Sequence, residues 1–219
     1  MTATPVSDPK PKKHHDRIAL WMLLGVVVLT AAVFLWTSSN YQQGNTTVDQ
    51  TYVDADGHLH VLGITLEKTT LDQAELILQS KSDVALYIYP QEHPKAGMKL
   101  EAFFPAIADH TKVILLLDLN DDQLRGIESR ATVPHLYPNH VARMNLASDD
   151  VRFVHRVRVR ELTLIPNLTI SSETLQARFG KPDRVQSLDQ EREQYVYDAI
   201  GLKAAISKEE PPVLHFSSP

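Results

Sequence analysis

The 219-residue chain contains no cysteine. That absence excludes a disulfide scaffold, a thiol nucleophile, a thiolate zinc site and a lipidated cysteine anchor. Glycine is scarce, 8 in all, and no two are adjacent. No Gly-rich turn is therefore present to cradle a phosphate or a dinucleotide. The G-x-S-x-G nucleophile elbow and the H-E-x-x-H zinc motif are also missing. Basic residues are outnumbered, 22 against 27 acidic, for a formal charge of -5. A mildly acidic chain is a poor match to nucleic acid. Charge of either sign is absent from one long stretch, residues 18 to 36.

That stretch reads IALWMLLGVVVLTAAVFLW from Ile18 to Trp36. A helix of this length spans roughly 28 Å, close to the hydrocarbon core of a bilayer. Both tryptophans of the chain, Trp21 and Trp36, stand at or near its ends, where amphipathic indole rings favour the membrane interface. A cleaved signal would be shorter and would end in a small-x-small site, and Leu35-Trp36-Thr37-Ser38-Ser39 is not one. Lys10, Lys12, Lys13 and Arg17 precede the span, and the next basic residue is Lys68. The positive-inside rule then predicts a cytoplasmic N-terminus. The expected location is the bacterial inner membrane, with the C-terminal part in the periplasm. After residue 36 lie 18 of the 22 basic and 25 of the 27 acidic residues, a balance of -7.

The expected organisation is a cytoplasmic tail at 1–17, a transmembrane helix at 18–36 and a linker at 37–51. A first unit follows at 52–120, an irregular connection at 121–149 and a second unit at 150–219. Thr69 to Leu78 predicts a short helix, with Thr70 as cap and Gln73 at the capping-box position. Val84 to Tyr89, Lys99 to Phe104 and Lys112 to Leu119 predict strands. In the second half, Ser171 to Phe179 predicts a helix ended by Gly180 and Pro182, with strands at 195–197, 201–207 and 213–216. The fold expected is α+β: a membrane helix, then two units of helix plus antiparallel sheet.

The second unit carries Phe179-Gly180-Lys181-Pro182-Asp183, then Tyr195-x-Tyr197, then Gly201-Leu202. Over residues 170–219 this pattern resembles the repeat of SmpA/OmlA-type (BamE-like) and β-lactamase-inhibitor-protein-like domains. The resemblance implies a helical pair on a small antiparallel sheet and a role in binding other proteins, without catalysis. The first unit departs from the pattern, with Ser80-Lys81-Ser82-Asp83 at the turn. The lipidated cysteine of the SmpA/OmlA lipoproteins is missing, so their outer-membrane residence does not carry over.

Few residues suggest chemistry. His58 and His60 would share one strand face, with Asp54 and Asp56 nearby, a workable metal pair. The competing reading is a turn at Asp56-Gly57 leading into a strand. Asp118-x-Asn120-x-Asp122 begins like a calcium loop, but Gln123 and Ser129 stand where Gly and Glu are required. An acidic first helical turn explains it better. His135 and His140 fall in the irregular middle. Arg152, Arg156, Arg158 and Arg160 alternate with other residues, and on a strand they would form one basic ridge. This ridge is the expected partner-binding site, against a competing reading of a solvated, ion-paired face. No catalytic residue, cofactor-binding residue or metal ligand is assigned. The function expected is a non-catalytic, membrane-anchored interaction module of the cell envelope, whose partner is another envelope protein. The alternatives are a periplasmic ligand- or metal-binding sensor domain and a hydrolase using paired carboxylates.

Overall fold

The computed structural model describes residues 51–107 and 110–219. The expected tail, membrane span and nearly all of the linker lie outside them. Among the described residues no helix is long and apolar enough to cross a membrane.

The first elements are a small meander, β1 (Tyr52–Val53), β2 (Leu59–Val61) and β3 (Ile64–Thr65). Helix α1 (Leu71–Ile77) follows, and the Thr70 amide donates to Gln73 Oε1 at 3.0 Å, as the capping spacing predicts. Strands β4 (Asp83–Tyr89), β5 (Gly97–Phe104) and β6 (Lys112–Leu117) come next. Helix α2 (Asp121–Glu128) starts at Asn120, whose side chain accepts from the Gln123 amide while Gln123 returns the bond. This reciprocal cap accounts for the acidic run that imitates a calcium loop.

The stretch expected to be irregular holds β7 (His135–Leu136) and β8 (Ala142–Asn145). Helix α3 (Ser148–Val154), β9 (Val159–Ile165) and α4 (Ser172–Phe179) lead to β10 (Arg184–Ser187) and β11 (Arg192–Tyr197). Strands β12 (Leu202–Ser207) and β13 (Val213–Ser217) close the chain. Gly201, at φ +54°, enters β12 so close to the last strand that a Cβ would lie 1.8 Å from the Ser217 carbonyl oxygen. Only glycine fits that turn.

Ten strands form one antiparallel sheet in the order β10-β11-β12-β13-β9-β6-β5-β4-β8-β7. The expected α+β arrangement of two units, each with its own sheet, is overturned. Strand β6 of the first half pairs with β9 of the second, Val113 opposite Leu164 and Leu115 opposite Leu162. β9 then pairs with β13, Leu164 opposite Leu214. The two sets of strands satisfy their edges on each other, so neither half keeps a separate sheet. The alternation along β6 and β9 sends one apolar row to one face from both halves.

That face meets the helices. Leu71 and Ala74 of α1, Leu124 and Ile127 of α2, Val154 of α3 and Leu175 of α4 join the strand residues in one buried cluster. The cluster takes Leu100, Leu115, Leu162, Leu202 and Phe216 from the sheet, and every strand member of the large sheet belongs to the same face by register. Both halves therefore share one core. The opposite face contributes nothing to it.

Candidate functional site

The opposite, open face is set by register. Strand β4 sends Asp83, Ala85, Tyr87 and Tyr89 to it, and β5 sends Lys99, Glu101 and Phe103. Ile114 and Leu116 of β6 stand beside Thr163 and Glu161 of β9, then His215 of β13 and Lys203 of β12. Phe103, Ile114 and Leu116 are half-buried, an apolar centre with polar groups around it.

At the β8 end, Arg143 Nη2 donates to both Asp83 carboxylate oxygens at 2.8 Å, and Nη1 donates to Asn145 Oδ1 at 2.6 Å. Tyr87 lies beside it, and burial raises its hydroxyl pKa against the opposing pull of Arg143. The Tyr87 and Tyr89 rings lie 6.2 Å apart, and His93 packs 4.6 Å from Tyr89. Tyr137 stands edge-on to His135 at 4.9 Å.

The β4–β5 loop folds back over this face. Lys95 Nζ lies 5.8 Å from the centre of the Tyr89 ring and donates to Glu101 Oε1 at 3.3 Å. The Tyr89 hydroxyl donates to the same oxygen at 3.0 Å. Glu101 is only 6% exposed, and these two donors compensate its burial. Burial and the Glu101 carboxylate together push the Tyr89 pKa far above the usual phenol range.

Across the sheet, His215 Nδ1 lies 3.0 Å from the Thr163 hydroxyl and Nε2 lies 3.5 Å from Glu161. Burial lowers the His215 pKa, Lys95 and Lys203 push the same way, and Glu161 opposes them. A hydroxyl, an imidazole and a carboxylate in that order outline an activated nucleophile. Thr163, however, sits mid-strand between β6 and β13, so its amide belongs to the sheet. It supplies no free N–H for a developing oxyanion, which acyl transfer requires. The trio reads better as a cross-strand polar ladder.

The residues singled out from sequence are placed elsewhere. The ridge expected on one strand does not form, because residues 148–154 are helical. Arg152 lies on α3 and pairs with Asp149 one turn back. Arg156 follows the helix in a turn, and its amide bonds the Phe153 carbonyl. Arg158 Nη1 reaches the Glu67 carbonyl at 3.3 Å. Arg160 sits where the β6–β9 register slips between Leu116 and Leu117. All four remain exposed, but on no common strand face. The helix was signalled by Ser148-Asp149-Asp150, an acidic first turn that the charge alternation obscured.

His60, of the expected metal pair, is held by its neighbours. His60 Nε2 bonds Asp54 Oδ2 at 2.9 Å, its Nδ1 lies 3.0 Å from the Thr65 hydroxyl, and its ring stacks on Tyr52 at 4.5 Å. Asp54 Oδ1 accepts from the Asp56 and His58 amides, which closes the expected turn. Among the described residues no group of three His, Asp or Glu side chains is placed to hold a metal ion. His140 closes a tight turn onto the Tyr137 carbonyl at 2.9 Å. A depression of about 420 Å³ at the β10–β11 turn is lined by Asp189, Glu191, Arg192 and Glu210, and its arginine pairs with both Asp189 and Glu210. The open face was missed because it is a product of register. Its one sequence signal was the alternation Ala85-x-Tyr87-x-Tyr89.

No protein-family model matches the chain, and no curated protein matches it in sequence. Among solved structures it is similar to the crystal structure of a DUF4309 family protein from Bacillus subtilis, at 12% identity and a TM-score of 0.38. That likeness covers 75% of this chain and 89% of the other.

Proposed function

We propose that this chain is a non-catalytic interaction module of the bacterial cell envelope, docking another envelope protein on the open face of its sheet. In this reading residues 18–36 hold it in the inner membrane, with the N-terminus in the cytoplasm and the remainder in the periplasm. The tether raises its effective concentration for a membrane-bound partner. The observation that carries the reading is the one-sidedness of the sheet. Every residue that the large sheet gives to the main buried cluster lies on the helix face. The other face presents half-exposed tyrosines, an ion-paired arginine and an apolar centre ringed by polar groups. Tyrosine and arginine around an apolar centre are the composition of protein interfaces.

The test is site-specific photo-crosslinking of the full chain in intact cells. Probes at Tyr87 and Leu116 are expected to capture the same protein. A probe at Lys208, exposed in the loop after β12, is expected to capture none. Unrelated adducts, or equal capture from all three positions, would sink the proposal.

A further inference from the structure

We infer that the protein surface received by the open face is acidic, an inference that rests on the docking role proposed above. The strand positions of this face carry six basic residues: Arg143, Lys99, Lys112, Lys203, Arg192 and Arg184. They carry three acidic ones: Asp83, Glu101 and Glu161. The chain after residue 36 has the opposite balance, 18 basic against 25 acidic. A basic excess of three is thus concentrated on one face of an acidic region.

The three arginines are spoken for, by Asp83, by Asp189 with Glu210, and by Asp198. The three lysines are not. Lys99, Lys112 and Lys203 make no ion pair among the described residues; by register Lys112 adjoins the apolar centre of Phe103, Ile114 and Leu116, Lys99 lies further along β5, and Lys203 lies three strands across from Ile114. Burying that centre against a neutral or basic partner would crowd three unpaired ammonium groups at the rim. An acidic partner neutralises them as it covers the apolar patch. Complementarity of this kind selects the partner and speeds encounter more than it adds affinity. Glu101 does not reduce the excess, because Lys95 already pairs with it, and Glu161, facing an imidazole whose pKa burial lowers, offsets only one of the three lysines.

The experiment is the same in-cell crosslinking from Leu116, read at the level of the crosslinked peptide. It is run on the full-length chain and on Lys99→Glu/Lys112→Glu/Lys203→Glu. A second variant, Lys68→Glu/Lys181→Glu/Lys208→Glu, alters three lysines outside this face. Thermal melts of both variants confirm that each is folded. The expected result is a captured peptide with net negative charge, capture reduced at least tenfold in the first variant, and capture unchanged in the second. A neutral or basic peptide, a second copy of this chain, a lipid adduct, or equal capture in both variants would overturn the inference. Capture that resists the three reversals would leave the docking face standing without its charge preference. No capture from Leu116 or Tyr87 would bring down the docking reading as well.

Discussion

Tyr197 is 3% exposed, and its hydroxyl is the buried side-chain polar atom without a hydrogen-bond partner among the described residues. Burial raises its pKa, and its ring packs 5.9 Å from Phe179. An unpaired buried hydroxyl costs stability, so deleting it at constant shape should cost nothing. Tyr197→Phe is expected to melt within about 0.5 kcal/mol of the parent or above it. A clear loss in the melting curve would show that the hydroxyl has a partner. Asp54 behaves in the opposite way. Its bond to His60, then the amides of His58 and Asp56, hold its pKa at about 2, below the ordinary 3.8. A depressed carboxylate stabilises the fold above its unfolded pKa, and that contribution fades as pH falls from about 4 through about 2. Asp54→Asn keeps an acceptor for the two amides and loses the charge facing His60. Urea unfolding should find it weaker than the parent at pH 6 and equal to it near pH 2. A constant gap across that window would rule out the charge as the cause.

Elements were legible where local chemistry decides them. Thr70 and Gln73 mark the start of α1, Gly180 stands at the end of α4, and the apolar run from Val113 makes β6. Residues 152–160 were misread because alternation on a helix end and in the following turn imitates a strand over a few residues. The sheet edges also show local design. Strand β7 is bracketed by Pro134 and Pro138, which cannot donate to a further strand, and β10 at the other edge is only four residues long. The exit of α1 depends on one buried carboxylate. Glu75, 5% exposed, accepts from Lys81 Nζ at 2.7 Å, from the Ser82 hydroxyl at 2.8 Å and from the Ser82 amide at 3.0 Å. Burial works to raise its pKa, but these bonds outweigh it and lower it. Glu75→Ala leaves the Ser82 donors without their acceptor and is expected to cost about 2–3 kcal/mol in denaturant unfolding. A loss below about 0.5 kcal/mol would mean that the loop re-forms its bonds with water.

At the scale of the whole molecule, the proposed placement makes a direct prediction. The full chain should stay with membranes after alkaline carbonate extraction, and the chain lacking residues 1–36 should be released. Release of the full chain would remove the anchor from the reading. The uncharged run from Ile18 to Trp36 and the basic flank before it state that prediction from sequence alone, because bilayer insertion depends on local hydropathy and nearby charge. The same locality explains why α1, α4 and the strands β4 to β6 and β11 to β13 were visible in the sequence. Pairing was not visible. Whether β6 closes on its own half or on β9 is decided by contacts between residues about fifty positions apart, such as Val113 and Leu164. Only that pairing merges the halves into one sheet, turns the fully buried apolar rows of both halves toward the helices, and brings Tyr87, Lys99, Glu101, Thr163 and His215 to one open surface. The sequence by itself determined the capped helices α1 and α4, the apolar strand β6, the charge balance and the membrane-length apolar run, since each depends on neighbours along the chain. The tertiary structure alone decided the single core and the open face, since strand register couples positions that no local pattern connects.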